Sequence, residues 1–225
     1  MRAFFIKTMN EEAYLHSFLK EGEMFFRHVD EFRQIEDGNV RGDKKEGMQK
    51  EIMNISIAPS VSTFYIGGNG GKTYGVDWEG FKKAHPEVAN VTAPFTFLIS
   101  YVANSLLYCI TYINSNTQNI DAVLSEIQKF GKYSAVVTDC EDFIAKLRTR
   151  IPNSDFGLVR YGSKKDDSKS LSTYSIFDKS IEYELQQEFR ISKPANGQKQ
   201  EIVKIGKLSG FVCTSRSLDV LKQQL

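Results

Sequence analysis

Cysteine is scarce and unpaired in this chain: Cys109, Cys140 and Cys213 are the only three, none spaced with another as a zinc knuckle or disulfide staple would be. Each lies in or beside an apolar run, so they read as reduced small hydrophobes, and this favours a cytoplasmic location. Excess charge of one sign is also lacking. With 29 Lys+Arg against 28 Asp+Glu the net charge is +1, which leaves no general field to attract nucleic acid or an anionic membrane. The three histidines, His16, His28 and His85, are too scattered to form a metal site by spacing. The N-terminal apolar run is too short for a signal peptide. Residues 94–120 carry no charge, yet Pro94, Ser100, Asn104, Asn114 and Asn116 interrupt them, so they are expected to be two packed core elements rather than a membrane span.

Several chemistries drop out by their missing residues. The stretch "GGNGGKT" invites a phosphate-loop reading, but Ile66 stands where the first glycine is needed, and "YGVDWEG" follows where an apolar helix should begin. No serine sits in a G-x-S-x-G elbow, and no cysteine has a nucleophile signature. Asp139, Glu141 and Glu188 could converge on metal ions, but such carboxylates are ordinary on any surface.

What is present is an alternation of strand and helix patterns. A length of 225 residues gives one domain, residues 1–225, as the default. "RAFFIKT" reads as a strand, and "NEEAYLHSFLKEG" as a helix with Asn10 as N-cap, Gly22 as stop, and Ala13, Tyr14, Phe18 and Leu19 as its buried stripe. Two strands broken at Pro59 lead to a glycine-rich hairpin at residues 67–71. "SLLYCITYI" is a continuous apolar strand of the kind buried on both faces. "NIDAVLSEIQKF" and "CEDFIAKLRTRI" are amphipathic helices, with the strand "YSAVVTD" between them. "GLVRYG" is a strand, "EYELQQEFRIS" a strand or a helix-to-strand passage, "EIVKIGKLSGFVC" a late strand and "SRSLDVLKQQL" a closing helix. The fold class is therefore α/β or α+β, a mixed sheet flanked by helices.

Two polar signatures stand out. "FRQIEDGNVRGDKKEG" gathers Arg33, Glu36, Asp37, Arg41, Asp43 and Glu46 around two glycines, directly after an aromatic run. "YELQQEFR" places Gln186, Glu188 and Arg190 at alternate positions, and on a strand all three point to one face. That face is either solvated or the floor of a polar pocket. Should the first stretch pack beside the second, its charges would pair across a pocket, with Arg33 and Arg41 facing an anionic ligand and the carboxylates orienting them. Phe32 would then anchor the loop in the core.

Taken in order, "FRQIEDGNVRGDKKEG", a central "YC" strand, "FGKYSAVVTDCEDFIAKL", "VRYG" and "YELQQEFR" resemble the signatures of a group of bacterial and phage proteins across nearly the full length. More broadly, an opening of strand, helix, glycine and strand with a late Q-x-E is similar to the ADP-ribosyltransferase fold. That resemblance implies NAD as cofactor, Glu188 as the catalytic carboxylate that fixes the nicotinamide ribose, and Gln186 beside the acceptor. The chain departs from it on the first strand, where Lys7 and Thr8 stand in place of a cofactor-binding His or Arg. Two functions follow as expectations. One is an NAD- or nucleotide-binding transferase serving phage–host conflict. The other is a non-catalytic inhibitor or sensor from a mobile element, in which the same charged residues meet a protein or nucleic-acid partner.

Overall fold

The computed structural model describes residues 2–34, 48–55, 63–67, 73–84, 86, 95–102, 104–162 and 175–225; between 33 and 103 it describes side chains at 77, 79, 80, 82–84 and 86 alone. The chain divides into two compact units. The larger holds Met1–Met48, Val102–Ser170 and Tyr174–Leu225, and the smaller Gln49–Tyr101 with Leu171–Thr173.

In the larger unit, β1 (Ala3–Met9), β2 (Glu23–His28), β7 (Ser105–Asn114), β8 (Tyr133–Val137), β13 (Gln200–Lys204) and β14 (Gly210–Thr214) run in the order β13-β2-β7-β1-β8-β14. β12 (Glu188–Pro194) pairs with β7 and with β9 (Asp155–Leu158), completing an eight-stranded sheet. Its ladders are all antiparallel, so within the expected class the fold is α+β, and the sheet is antiparallel where a mixed one was expected. β10 (Arg160–Gly162) and β11 (Asp178–Ser180) make a small parallel pair.

The uncharged run holds two strands, Phe95–Val102, whose side chains lie outside the described residues, and β7, which is buried. Leu106, Tyr108 and Ile110 project to one face with Phe5, Phe189 and Ile191; α1 (Glu12–Glu21) and α5 (Cys140–Arg150) cover that face with Leu15, Phe18, Phe143 and Leu147. Burial of a Leu or Phe side chain contributes about 1.5–3 kcal/mol. Alternation sends the intervening residues to the other face. There Phe4, Ile6, Ile113 and Val136 meet α4 (Ile120–Gln128) and the closing segment Ser215–Gln223, while Leu107 meets Val29 of α2 (Val29–Gln34) and Ile176. Among the described residues no helix is long and apolar enough to cross a membrane.

Local chemistry accounts for the boundaries. Gly22 takes a left-handed conformation (φ 63°) and returns its N–H to the Phe18 carbonyl at 2.9 Å, ending α1 where expected. The cap position is Glu11 rather than Asn10, and no side chain closes it. The buried stripe also differs from expectation: Leu15 and Phe18 are buried while Tyr14 is 59% exposed, because i, i+3 spacing onto the sheet selects Leu15. Asp139 caps α5, its side chain accepting from Asp142 N at 2.9 Å. "GLVRYG" breaks at Val159 into two strands, "EIVKIGKLSGFVC" splits into β13 and β14, and the closing helix is a 3₁₀ segment.

The smaller unit contains β3 (Met48–Ile55) paired with β6 (Phe95–Val102), a hairpin of β4 (Thr63–Gly67) and β5 (Thr73–Asp77), and α3 (Trp78–Ala84) packed on that hairpin. A hairpin is expected at the glycine run, and its strands pair with Gly67 opposite Thr73. Asp77 Oδ1 accepts from Gly80 N at 3.0 Å and so begins α3.

Candidate functional site: a buried ionic cluster on β12

The segment Ile181–Gln186 winds as a 3₁₀ helix, and Gln187 reverses it with φ 44° before β12 begins at Glu188. Gln186 is therefore not on the strand, as alternation alone would have it. It reaches the same place from the helix end. Its carbonyl accepts from Thr111 Oγ1 at 3.0 Å, and its side-chain oxygen accepts from Lys179 Nζ at 2.8 Å.

Glu188 and Arg190 do share a strand face, opposite Thr111 and Cys109 of β7. Arg190 Nε donates to Glu188 Oε1 at 3.1 Å and its Nη2 to Oε2 at 3.2 Å, a two-point pair between neighbours on one face. Lys179, on β11, donates to Oε2 at 3.0 Å, and the Cys109 thiol adds a further hydrogen bond to the carboxylate. Arg190 is fully buried and Glu188 is 7% exposed. Burial alone would raise the pKa of Glu188. The charges of Arg190 and Lys179 more than offset this and hold the carboxyl well below the usual range.

Three further groups tie the cluster to its surroundings. Tyr161 of β10 accepts the Glu188 backbone N–H at its phenolic oxygen, 2.8 Å away; burial first, then the Glu188 charge, pushes its pKa up. Lys179 Nζ stands 4.8 Å from the centre of the Tyr183 ring, a cation–π contact. Arg190 Nη1 donates to the Ile176 carbonyl, and Ile176 belongs to the small cluster in which Phe32 is packed. Glu188 thus joins β12 to the β10–β11 pair, and Arg190 joins it to the segment beneath α2.

Of the residues that the sequence marks as a site, Gln186, Glu188 and Arg190 converge. Arg33 lies in α2, next to Phe32, and its side chain is outside the described residues; Glu36, Asp37, Arg41, Asp43 and Glu46 also lie outside them. Phe32 is partly buried against Val29, Leu107 and Ile176 on the Glu188 face, whereas Phe189 belongs to the main core on the other face. Lys7 shares that other face with Phe5; its ammonium donates to the Cys109 carbonyl at 2.7 Å and stands 4.5 Å from the centre of the Tyr108 ring. Lys7 and Glu188 therefore project from opposite faces of the sheet. Thr8 projects on the Glu188 side, where its hydroxyl is hydrogen-bonded to Ser134 Oγ at 2.7 Å.

Sequence reasoning missed Lys179, Tyr161 and Cys109 as members of the cluster. Cys109 and Tyr161 lie in segments legible as strands, "SLLYCITYI" and "VRYG", and a polar residue inside an apolar strand is the signal that could have found them. Lys179 gives no local signal, since its place is set by a three-residue strand. Among the described residues no group of three or more His, Cys, Asp or Glu side chains is placed to hold a metal ion. Comparison with family models, curated proteins and solved structures finds no match.

Proposed function

We propose that the protein acts by binding a protein partner, as a non-catalytic inhibitor or sensor, and that the Gln186–Glu188–Arg190 cluster is a structural clamp. One observation carries this reading. A carboxylate offers about four acceptor sites, and Glu188 meets four donors, two from Arg190, one from Lys179 and one from Cys109. A glutamate that fixes a nicotinamide ribose has to present a lone pair to the sugar hydroxyl, and a general base needs a free lone pair and a pKa near the working pH to take up a proton. Glu188 is bonded, buried and held ionised. The separation of Lys7 from Glu188 by the thickness of the sheet also removes the first-strand cation from such a centre.

The charged residues of 33–46 then serve recognition. Arg33 and Arg41 interleaved with Glu36, Asp37, Asp43 and Glu46 mix both signs in a short span, a pattern suited to the polar rim of a protein interface. A net charge of +1 supplies little of the attraction that phosphate backbones demand. The resemblance to bacterial and phage proteins points such binding toward phage–host conflict.

The test is calorimetric titration of the intact chain with NAD and with ATP, alongside an NAD turnover assay. No binding heat and no turnover is the expected result. Turnover that is lost in Glu188→Gln while the melting temperature holds would restore the transferase reading. For the binding role, a partner recovered by affinity capture should be released by the double charge reversal Arg33→Glu, Arg41→Glu at unchanged melting temperature.

A further inference from the structure

β13 ends the large sheet. Among the described residues it has β2 on one side and no strand on the other. Its hydrogen-bonding parity is set at both ends, where His28 N donates to the Lys199 carbonyl at 2.7 Å and Ile205 N to the Gly22 carbonyl at 3.2 Å. In an antiparallel ladder alternate residues bond to the same neighbour. Residues 201 and 203 therefore pair inward with Phe26 and Met24, and Gln200, Ile202 and Lys204 turn their backbone N–H and C=O groups to the open edge.

Edge strands are usually blunted by proline, a bulge or an unpaired charge. β13 is five residues in continuous register with β2 and contains none of the first two. Its Lys204 is neutralised at home by Glu21 and by Glu23, the latter at 3.3 Å. The same edge carries exposed apolar surface: Ile202 is 58% exposed, its cross-strand partner Phe25 is 40% exposed, and the Arg27 guanidinium stands 5.1 Å from the Phe25 ring centre. Open backbone groups and apolar side chains thus coincide at one place.

We propose that this edge pairs with a second copy of the chain, antiparallel about a two-fold axis at Ile202. The strand accepts its own reversal. Ile202 would oppose Ile202 of the second copy and extend the row from Phe25 to Phe25 across the axis; Glu201 would oppose Val203, and Gln200 would oppose Lys204. No like charges face each other. The Gln200 amide already donates to both Glu31 oxygens at 3.2 Å, so a carboxylate waits where Lys204 of the second copy arrives. Three facing pairs exchange about six backbone hydrogen bonds, and the result is one continuous sheet with two-fold symmetry, the commonest form of homo-oligomer. This inference is independent of the binding role proposed above.

Sedimentation of the full chain over a concentration series tests it. The wild type should reach twice the mass of one chain, and Ile202→Lys, which sets two ammonium groups against each other, should sediment as a monomer and melt with the wild type at concentrations where the wild type is itself monomeric. Ile202→Pro, which removes an outward N–H that no described residue accepts, should do the same. Ile202→Cys should give a disulfide-linked dimer under mild oxidation, since facing residues of this kind lie about 5.5 Å apart at Cα. A wild type that stays monomeric throughout overturns the proposal, as does a dimer that survives both Ile202→Lys and Ile202→Pro. A monomer that takes up an unrelated extended peptide along β13 would overturn it in favour of a foreign strand.

Discussion

Arg190 grips Glu188 at both carboxylate oxygens, 3.1 and 3.2 Å away, from a position two residues along the same strand. A strand places such neighbours on one face, but solvent usually separates them. Here Lys179 and Cys109 close the pair from other strands, and Arg190 spends its remaining reach on the Ile176 carbonyl. The pair is thus a buried junction between elements.

Breaking it from one side should be costly. Removing one partner of a buried ion pair leaves an uncompensated charge and destabilises by about 3–5 kcal/mol. Glu188→Gln and Arg190→Met should each lose stability on that scale in denaturant titration. The double variant should cost less than the sum of the two by about 1–3 kcal/mol, as contacting residues do. Strict additivity, or a Glu188→Gln variant as stable as the wild type, would mean that the cluster holds nothing together.

The same burial sets an acid limit. Because the folded-state pKa of Glu188 is depressed, its contribution is complete above the unfolded value of about 4.3 and fades as pH falls below it. Unfolding free energies measured at pH 7, 5 and 3 should drop toward pH 3, and Glu188→Gln should lack part of that drop. Tyr161 acts in the opposite direction. Burial, and then the Glu188 charge, raise its pKa, so its contribution is intact below about pH 10 and is lost as pH rises through the folded value. Phenolate absorbance should therefore show Tyr161 titrating only as the protein unfolds, and Tyr161→Phe should remove that component.

Much of the sheet was legible because its strands are apolar enough to speak locally. "SLLYCITYI" and "YSAVVTD" are buried whatever their partners, and Gly22 ends α1 through a backbone conformation that glycine favours. Gly210 shows the limit. A β-carbon there would stand 2.0 Å from the Val136 carbonyl oxygen, a contact created by the β14–β8 pairing and invisible in "KLSGFVC". Gly210→Ala should lower the melting temperature despite an undemanding sequence context, and Gly22→Ala should do so as well, since it combines φ 63° with a β-carbon 2.4 Å from the Gly206 carbonyl oxygen. A Gly210→Ala variant that melts with the wild type would contradict the close approach of β14 to β8.

The candidate site was half legible for the same reason. Glu188 and Arg190 announce themselves by alternation, but Gln186 arrives by a left-handed turn at Gln187 and Lys179 by a three-residue strand, and neither is a property of local pattern. Cys140 gives the converse case. Its sequence setting, beside an apolar run and without a nucleophile signature, reads as a small hydrophobe; burial, and to a lesser degree the Asp139 charge, push its thiol up to about 11, while the Phe5 backbone hydrogen bond pulls the other way. With so little thiolate near neutral pH, Cys140 should react with iodoacetamide far more slowly than a free thiol of pKa about 8.5. Alkylation at the free-thiol rate in the native protein would show that the burial is absent.

Phe32 links the two polar signatures physically. It is partly buried against Val29, Leu107 and Ile176, and the Ile176 carbonyl accepts from Arg190. Because the ring is not fully enclosed, Phe32→Ala should cost about 1–2 kcal/mol, below the 3–5 kcal/mol of a completely buried phenylalanine. If α2 and the Glu188 clamp share the support of Ile176, removing the ring should loosen the segment that Arg190 holds. Phe32→Ala and Arg190→Met should then be non-additive by at least about 0.5 kcal/mol in a double-mutant cycle. Arg33, the next residue on α2, should behave differently. Arg33→Ala should leave stability unchanged and weaken partner binding, whereas Glu188→Gln should lower stability first and binding only as the fold loosens. Additivity of Phe32→Ala with Arg190→Met would separate α2 from the clamp, and would leave the charged segment that follows Phe32 to act without β12.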